Sequence, residues 1–261
     1  MDINNFAIDR VINGTMFSKT NGELLWRVTQ VTNPSLNCAT ETTDIVDAIG
    51  TPIMTLDRAK TAEFSGENSL FDLGLAAAQL GSTKEIMSSE KKQIVPINEE
   101  FVLGEDATTI TLSKTPVGAI PFIYLIKADS SVAEKYKKGS EANATDFTHT
   151  DKQTSIKLPT GLKAGMKICV PYSYEREDGV SVTNYGNKFP KAGRFLLDVL
   201  GYDICNQEHI VHALVEFHNA KLTGDVDFNF TTEGTHPFTI KCLQDYCDAN
   251  KRLFTIYVID E

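Results

Sequence analysis

The stretch that decides the fold spans residues 210–230 and reads IVHALVEFHNAKLTGDVDFNF. Its first part, Ile210 to Phe217, is strongly hydrophobic and predicts a buried strand. A turn is predicted at Asn219-Ala220, and after it Lys221 to Phe230 alternates apolar and polar residues with a period of two. This alternation predicts a second strand with one buried face and one wet face. We therefore expect a mainly β fold.

Similar signals place further strands near both ends of the sequence. Leu24 to Val31 and Leu253 to Ile259 each predict a strand. Between them, Cys38 to Asp47 and Ile53 to Phe64 flank the turn signal Gly50-Thr51-Pro52 and predict a hairpin. Few of its positions are apolar, so this hairpin cannot bury much surface by itself, and we expect another subunit to complete it. Six of its charged residues are candidates for contacts between subunits: Asp44, Asp47, Asp57, Arg58, Lys60 and Glu63.

Two other features flank this hairpin. Met1 to Thr20 contains turn dipeptides and little apolar material, which predicts an N-terminal arm. Leu70 to Leu80 has the broad apolar face of a helix that covers a sheet. Asn68-Ser69 is its expected N-cap, and Gly81 is its expected C-terminal stop.

The middle of the chain has a different sequence pattern. Between Gln93 and Asp178, short apolar runs alternate with Gly, Pro, Asn or Asp, as in a small immunoglobulin-like β-sandwich. We therefore predict a β domain formed by residues 1–92 and 179–261, with an inserted immunoglobulin-like domain at 93–178. The five runs that predict strands of the insertion are Gln93–Ile97, Thr108–Leu112, Ile120–Ile126, Thr154–Leu158 and Met166–Tyr174.

Composition limits the class of protein. A hydrophobic fraction of 41% and a charged fraction of 23% over 261 residues are typical of a globular protein with a real core. The sequence has no apolar run long enough for a transmembrane helix, and Met1 to Thr20 has no signal-peptide h-region. Membrane insertion and secretion by the ordinary route are therefore not expected. The five cysteines are expected to be reduced and buried.

The formal net charge of −10 bears on nucleic-acid binding. A negative surface repels phosphates, so tight or specific DNA binding is disfavoured. Acidic walls would equally suit a conduit through which DNA slides without sticking. Charge alone leaves both interpretations open.

Motifs for catalysis, cofactors or metals are weak, so we predict that the chain is not an enzyme and has no cofactor or metal. The sequence has no phosphate-binding loop, no dinucleotide fingerprint and no nucleophile elbow. Four clusters could suggest a metal, carboxylate or nucleic-acid site, but a structural role is favoured for each. They are Cys205, His209 and His212; Cys242 and Cys247; the acids Asp44, Asp47, Asp57 and Glu63; and Tyr172 to Arg176.

Two segments resemble phage tail-tube subunits. One runs from Asp47 through Arg58 to Asp72-Leu73, and the other from Ala220 through Thr232-Glu233-Gly234-Thr235-His236-Pro237 to Phe238. The resemblance implies two packed sheets with a flanking helix, arranged as a β-sandwich or barrel. It also implies six subunits in a ring whose inner strands surround a lumen, with rings stacked through arms and a long hairpin. The inserted domain resembles immunoglobulin-like modules of phage surface proteins.

The resemblance implies functional assignments as well. The chain would be a virion tail protein, made in the host cytoplasm, that contacts other copies of itself and other tail proteins while DNA passes without specific binding. Asp225 and Asp227 become candidates for the lumen wall. The alternative function is a head or tail surface decoration or adhesion protein, which shares the β-rich and acidic profile and in which the hairpin would be dispensable.

Overall fold

The computed structural model describes residues 5–205 and 208–260. The chain divides into two compact units. The first unit comprises the chain up to Lys84 together with the chain from Val182 onward, and the second comprises Glu85–Ser181. The predicted insertion at 93–178 begins later and ends earlier than this second unit.

Strands dominate the described residues, which confirms the mainly β class. Before the second unit the chain forms β1 (Phe6–Ser18), β2 (Leu24–Val28), β3 (Val31–Val46), β4 (Pro52–Asn68) and helix α1 (Leu73–Gln79). The second unit contains β5 (Glu85–Ile86), β6 (Gln93–Val102), β7 (Thr109–Thr111), β8 (Phe122–Ile126), β9 (Val132–Lys138), β10 (Asp146–His149), β11 (Ser155–Lys157), β12 (Lys167–Arg176) and β13 (Val180–Ser181). The chain then adds β14 (Ala192–Asp203), β15 (Ile210–Leu222), β16 (His236–Cys242) and β17 (Phe254–Asp260).

The first unit is organised by one eight-stranded antiparallel sheet that curls into a half-barrel. Its strand order is β2-β1-β14-β15-β16-β4-β3, and β17 pairs with β15 beside this path. The long strand β15 makes this branching possible, because β17 pairs with Val211–Phe217 and β16 pairs with Ala220–Leu222 along the same edge. The predicted turn at Asn219-Ala220 is wrong, since β15 continues through it to Leu222.

Aromatic side chains fill the core of the first unit. Phe195 lies at its centre, with ring centroids 5.4 Å from Trp26, 5.9 Å from Phe64 and 5.6 Å from Phe217. Gly14 on the neighbouring strand leaves room for this ring, because a Cβ there would lie 2.7 Å from the Phe195 ring. The alternating apolar residues of β14 and β15 therefore form one buried face of the sheet.

The predicted N-terminal arm is wrong for the described residues. Phe6–Ser18 forms β1, which pairs with β14 over its whole length, and Met16 is fully buried. Two register shifts, near Ile8 and near Val11, interrupt the period-two pattern, so the strand is hard to recognise in the sequence. Residues 1–4 of the predicted arm lie outside the described residues.

Helix α1 is shorter than predicted. Asn68 and Ser69 do not cap it, because Asn68 still belongs to β4. Asp72 is the N-cap, and its Oδ1 accepts a hydrogen bond of 2.8 Å from the Leu75 N–H. Gly81 ends the helix as predicted, with a φ of +66°, and a Cβ there would collide with the backbone of Phe189.

Buried His236 connects this helix to the sheet. The Asp72 N–H donates to His236 Nδ1 over 3.3 Å, while Nε2 lies 2.7 Å from Gln79 Oε1. Nδ1 therefore acts as acceptor and Nε2 as donor, which requires a neutral ring. The Phe71 ring stacks on the imidazole at 5.0 Å. Burial lowers the pKa of His236 below its ordinary value of 6.5, although the Asp72 carboxylate opposes this shift.

A pH-dependent stability follows from His236. Because the folded state binds this proton less readily than the unfolded state, its contribution is complete above pH 6.5 and is lost as the pH falls towards the lowered pKa. We expect the thermal midpoint of the first unit to fall over this range. The free energy of unfolding should change by at most about 1.4 kcal/mol per pH unit because of this one group. Circular dichroism melts of the wild type and of His236→Gln check this. The variant should show a smaller pH dependence, and identical profiles would refute it.

The second unit has its own core. Its strands follow one hydrogen-bonded path in the order β6-β12-β8-β9-β10-β11-β7, and β5 pairs with β13. All five predicted runs contain strands, but β9 and β10 were not predicted because each is short and largely polar. The β9–β10 pair is parallel, unlike the antiparallel sheets of an immunoglobulin domain. The immunoglobulin-like architecture therefore stays a prediction.

Candidate assembly surfaces

The hairpin formed by β3 and β4 has two distinct halves. Near its base, β4 pairs with β16, and Phe64 enters the core. Beyond it, residues 37–46 of β3 are all exposed, as are residues 52–61 of β4 except half-buried Leu56. We call residues 37–61 the distal hairpin. A two-stranded ribbon with both faces in water is marginally stable by itself, so the distal hairpin is suited to a contact outside this chain.

At the end of the distal hairpin, a turn held by hydrogen bonds lies beside exposed apolar side chains. Asp47 Oδ1 accepts hydrogen bonds of 2.9 Å from the backbone N–H groups of Ile49 and Thr51. Gly50 adopts a φ of +88° at the bend. The turn is therefore ordered by local bonds, while its apolar residues remain free for a partner. These exposed residues, which we call the hairpin tip, are Ile45, Val46, Ile49, Ile53 and Met54.

The six charged residues predicted to contact other subunits have different surroundings. Asp44 accepts a hydrogen bond of 2.7 Å from Thr55, and Arg58 donates one of 3.4 Å to Thr43. Glu63 is half-buried in the hairpin base, opposite Lys241 of β16. The other three are Asp47 in the turn and the exposed Asp57 and Lys60. Within residues 5–205 and 208–260, none of the six forms an ion pair, so their role in contacts between subunits stays a prediction.

The strand predicted at Lys221 to Phe230 is wrong beyond Leu222. Instead of continuing along the sheet, Phe228 and Phe230 pack around Phe71, with ring centroids 5.5 and 5.7 Å away. Packing in this aromatic cluster thus takes the place of the strand that the alternation of apolar and polar residues predicted. Asp225 and Asp227 are exposed, but they lie on an irregular segment, so the strand on which their lumen assignment depended is absent there.

A four-stranded section of the large sheet has two edges with backbone groups that are not paired with another strand among the described residues. Its order is β1-β14-β15-β17, and every neighbouring pair is antiparallel. In the described part of the chain, β17 pairs only with β15, and β2 covers β1 only from Gly14 to Phe17. The outer edges of Phe6–Asn13 and of β17 therefore present free backbone donors and acceptors.

Exposed apolar side chains accompany the β17 edge. Ile256 is 53% exposed, and Val258 is 40% exposed. Tyr257 and Ile259 are also exposed, although consecutive residues of a strand point to opposite faces. Phe254 is the β17 residue that packs against the core. An edge strand that is apolar on both faces favours pairing with another chain.

The face of this section opposite the core carries a polar network. Arg194 Nε donates to Glu216 over 2.5 Å, Tyr257 Oη donates to Glu216 over 3.1 Å, and His218 Nδ1 lies 3.5 Å from that carboxylate. Burial alone would raise the pKa of Glu216, but the Arg194 and Tyr257 hydrogen bonds and the His218 charge lower it overall. His218 Nε2 is 2.9 Å from Thr255 Oγ1. Leu196 and Leu214 share this face, so the polar network is set among apolar side chains on the strands that have open edges.

A groove of about 580 Å³ lies beside helix α1 in the first unit. Its floor is apolar, and three exposed lysines stand among its lining residues. Phe189 is 70% exposed at this groove, although its backbone packs closely against Gly81. The lining residues used below are Trp26, Ala77, Lys84, Lys188, Phe189 and Lys191.

Comparison with protein families matches nearly the whole chain. The model of the YomU/Tube protein family covers residues 6–256. The chain belongs to the YomU/Tube protein family. The family name suggests a phage tube-like protein and a virion component, which agrees at this coarser level with the tube resemblance in the sequence. A search of curated proteins found no match.

Two of these surfaces in the YomU/Tube chain were missed by sequence reasoning. The strand near Leu253–Ile259 was predicted and is confirmed as β17. That one edge of this strand is open was not predicted. Its run of apolar residues, Ile256-Tyr257-Val258-Ile259, was a usable signal, because an edge strand with one wet face would alternate. The groove had no comparable signal, since its walls come from distant parts of the chain.

Residues from two of the clusters that could suggest metal or nucleic-acid sites have structural surroundings. His209 precedes β15 rather than lying on it, and its Nδ1 is 3.9 Å from Asp203. Tyr172 and Tyr174 are buried in the second core, where Tyr172 donates to Glu99 over 2.7 Å. Among residues with described positions, no three His, Cys, Asp or Glu side chains could hold a metal ion. Nor does this part of the chain contain a helix able to cross a bilayer.

The cysteines differ from the prediction in their burial. All five are free, but Cys38, Cys205 and Cys247 are exposed, while Cys169 and Cys242 are half-buried. The prediction of uniformly buried thiols is therefore wrong. Burial, with smaller effects from Cys38 and Glu63, raises the pKa of Cys242 to about 12, so this thiol stays protonated at neutral pH.

Proposed function

We propose that this YomU/Tube chain is a structural subunit of a phage tail tube that assembles into stacked rings around a channel for the genome. The observation that carries the proposal is the four-stranded section with two open edges. In the order β1-β14-β15-β17, β17 runs opposite to β1. When copies are placed side by side, β17 of one copy therefore meets β1 of the next in the antiparallel sense, and the pattern repeats without interruption.

Such a contact joins two different surfaces, so it is heterologous and closes into a ring when the rotation per subunit permits. Ring closure removes both open edges at once. The six copies implied by the tail-tube resemblance would contribute twenty-four strands. With strands about 4.8 Å apart and tilted by about 40°, the barrel would be roughly 50 Å across between backbones. A barrel of this size leaves an aqueous channel wider than duplex DNA.

The two faces of the section suggest which side faces the channel. The core of the first unit packs on the face that contains Phe195, Val215 and Phe217, so the bulk of the subunit lies on that side. The opposite face, with Arg194, Glu216 and His218, would then line the lumen. Its carboxylates are engaged by neighbouring side chains, which suits a wall past which DNA moves without specific binding.

The remaining surfaces fit the same proposal. The distal hairpin extends far enough to reach beyond a ring, since ten extended residues span about 33 Å. Other tail proteins would contact the open ends of the tube, and the second unit would be the predicted immunoglobulin-like domain. The chain acts in the virion tail as a structural protein rather than as an enzyme, without cofactor or membrane insertion, after synthesis in the host cytoplasm.

Negative-stain electron microscopy of purified protein over a range of concentrations tests this function. We expect hollow rings at moderate concentration and hollow filaments at high concentration. Sedimentation velocity should show a ring-sized species that grows by whole rings. Uniformly small particles at every concentration would refute the tube and favour the decoration or adhesion function.

A further inference from the structure

The groove beside α1 and the hairpin tip are complementary in hydrophobicity and charge. The groove presents an apolar floor with Trp26 and Ala77, and Phe189 is exposed beside it. The tip presents several apolar side chains at the end of a narrow ribbon, and Ile49 is 87% exposed. Exposed apolar groups gathered at one place on a surface mark an interaction site.

The charges of the groove and of the hairpin tip are also complementary. Lys84, Lys188 and Lys191 line the groove and are exposed. The hairpin places Asp44 and Asp47 beside its apolar tip residues. Complementary charges around an apolar contact orient two partners and accelerate their association. The lysines of the groove are therefore suited to an acidic partner of this kind.

The tip of the same chain does not fill its own groove. All residues that line the groove lie outside residues 37–61. The tip residues are exposed as well, including Ile45 and Met54. The occupant therefore has to be supplied by another molecule. A second copy of the chain can supply it, because its tip is apolar and carries Asp44 and Asp47.

We propose that the hairpin tip of one copy docks in the α1 groove of another copy, a contact that rests on the tube function and specifies how successive rings are joined. Each copy offers one tip and one groove, so the contact is heterologous and leaves an unused tip at one end of a stack and an unused groove at the other. Rings would therefore add indefinitely in one polar direction. Lateral closure through β17 and axial stacking through the tip would be independent contacts.

Two single substitutions test the tip and the groove of this contact independently. Ile49→Asp places a carboxylate at the tip, and Phe189→Asp places one at the groove; Ile49→Val and Phe189→Leu are the matched conservative controls. Both side chains are largely exposed, so the subunit should fold and melt as the wild type does. Each aspartate variant should form rings but should need about thirty-fold or more protein to stack them, as expected for loss of a central interface residue.

Mixing the two aspartate variants provides the decisive test. Rings of Phe189→Asp retain tips, and rings of Ile49→Asp retain grooves, so the mixture should form stacks of two rings and then stop. Sedimentation velocity and electron microscopy would show this doubled species, which neither variant forms alone. A second groove variant, Lys188→Glu with Lys191→Glu, should behave as Phe189→Asp does in the same mixture.

The possible results separate the two proposals. If Ile49→Asp blocks stacking while both groove variants stack as the wild type does, the tip docks elsewhere and this inference is overturned, with the tube function intact. Loss of stacking in both aspartate variants without two-ring stacks in the mixture also overturns it. If the wild type forms neither rings nor filaments, the tube function itself fails.

Discussion

Replacing Ile256 and Val258 together with lysine is expected to abolish ring formation while the subunit remains folded. Both side chains lie on the open edge strand β17, and neither belongs to the core of the first unit. Lysines on an edge strand prevent pairing with another sheet, because their charges would have to leave water. Burying unpaired polar groups costs about 1–3 kcal/mol each, and every junction of the ring contains both substitutions.

The measurement is sedimentation velocity combined with circular dichroism. We expect a single subunit-sized species at concentrations where the wild type forms rings, with unchanged strand content. The matched control is Ile94→Lys with Val102→Lys, which places two lysines on exposed apolar positions of β6, an edge strand of the second unit. This control should form rings. Normal rings from the β17 variant would show that this edge does not join subunits.

Shortening the distal hairpin is expected to remove stacking and to leave rings intact. Residues 42–58 can be replaced by Asn-Gly, because Glu41 and Ala59 are paired across the hairpin and this dipeptide forms a tight two-residue turn. The deleted residues are exposed except Leu56 and Asp47, which are half-buried. The free energy of unfolding should therefore change by no more than about 0.5 kcal/mol.

Electron microscopy and thermal melts decide this prediction. The shortened protein should give single rings at every concentration, with a thermal midpoint close to that of the wild type. A decoration or adhesion protein would not need the hairpin for self-assembly, so filaments from the shortened protein would count against a stacking role. A large fall in the thermal midpoint would show instead that the distal hairpin supports its own subunit.

Local patterns predicted much of the secondary structure. The turn at Gly50, the helix stop at Gly81 and the strand near Leu253–Ile259 all appear where the sequence placed them. These features depend on a few neighbouring residues, such as a glycine that adopts a positive φ or a continuous apolar run. They can therefore be recognised without knowledge of the rest of the molecule.

The errors arose where distant residues override local patterns. The alternation after Leu222 predicted a strand, but Phe228 packs against Phe71 and His236 instead. Conversely, the irregular pattern of Phe6–Ser18 predicted an arm, but β14 holds this segment in the sheet despite two register shifts. In both cases tertiary contacts decided the outcome, since intrinsic strand preference is weak compared with packing.

The candidate surfaces show the same division. The sequence by itself determined a mainly β chain, a hairpin too polar to bury itself and an apolar last strand, because each is a property of a contiguous segment. Only the tertiary structure decided that Phe6–Asn13 and β17 form the two open edges of one section. It also decided that Trp26, Ala77 and Phe189 share a groove. The physical reason is that strand pairing and groove walls join residues far apart in the chain, and no local pattern records which partners they will find.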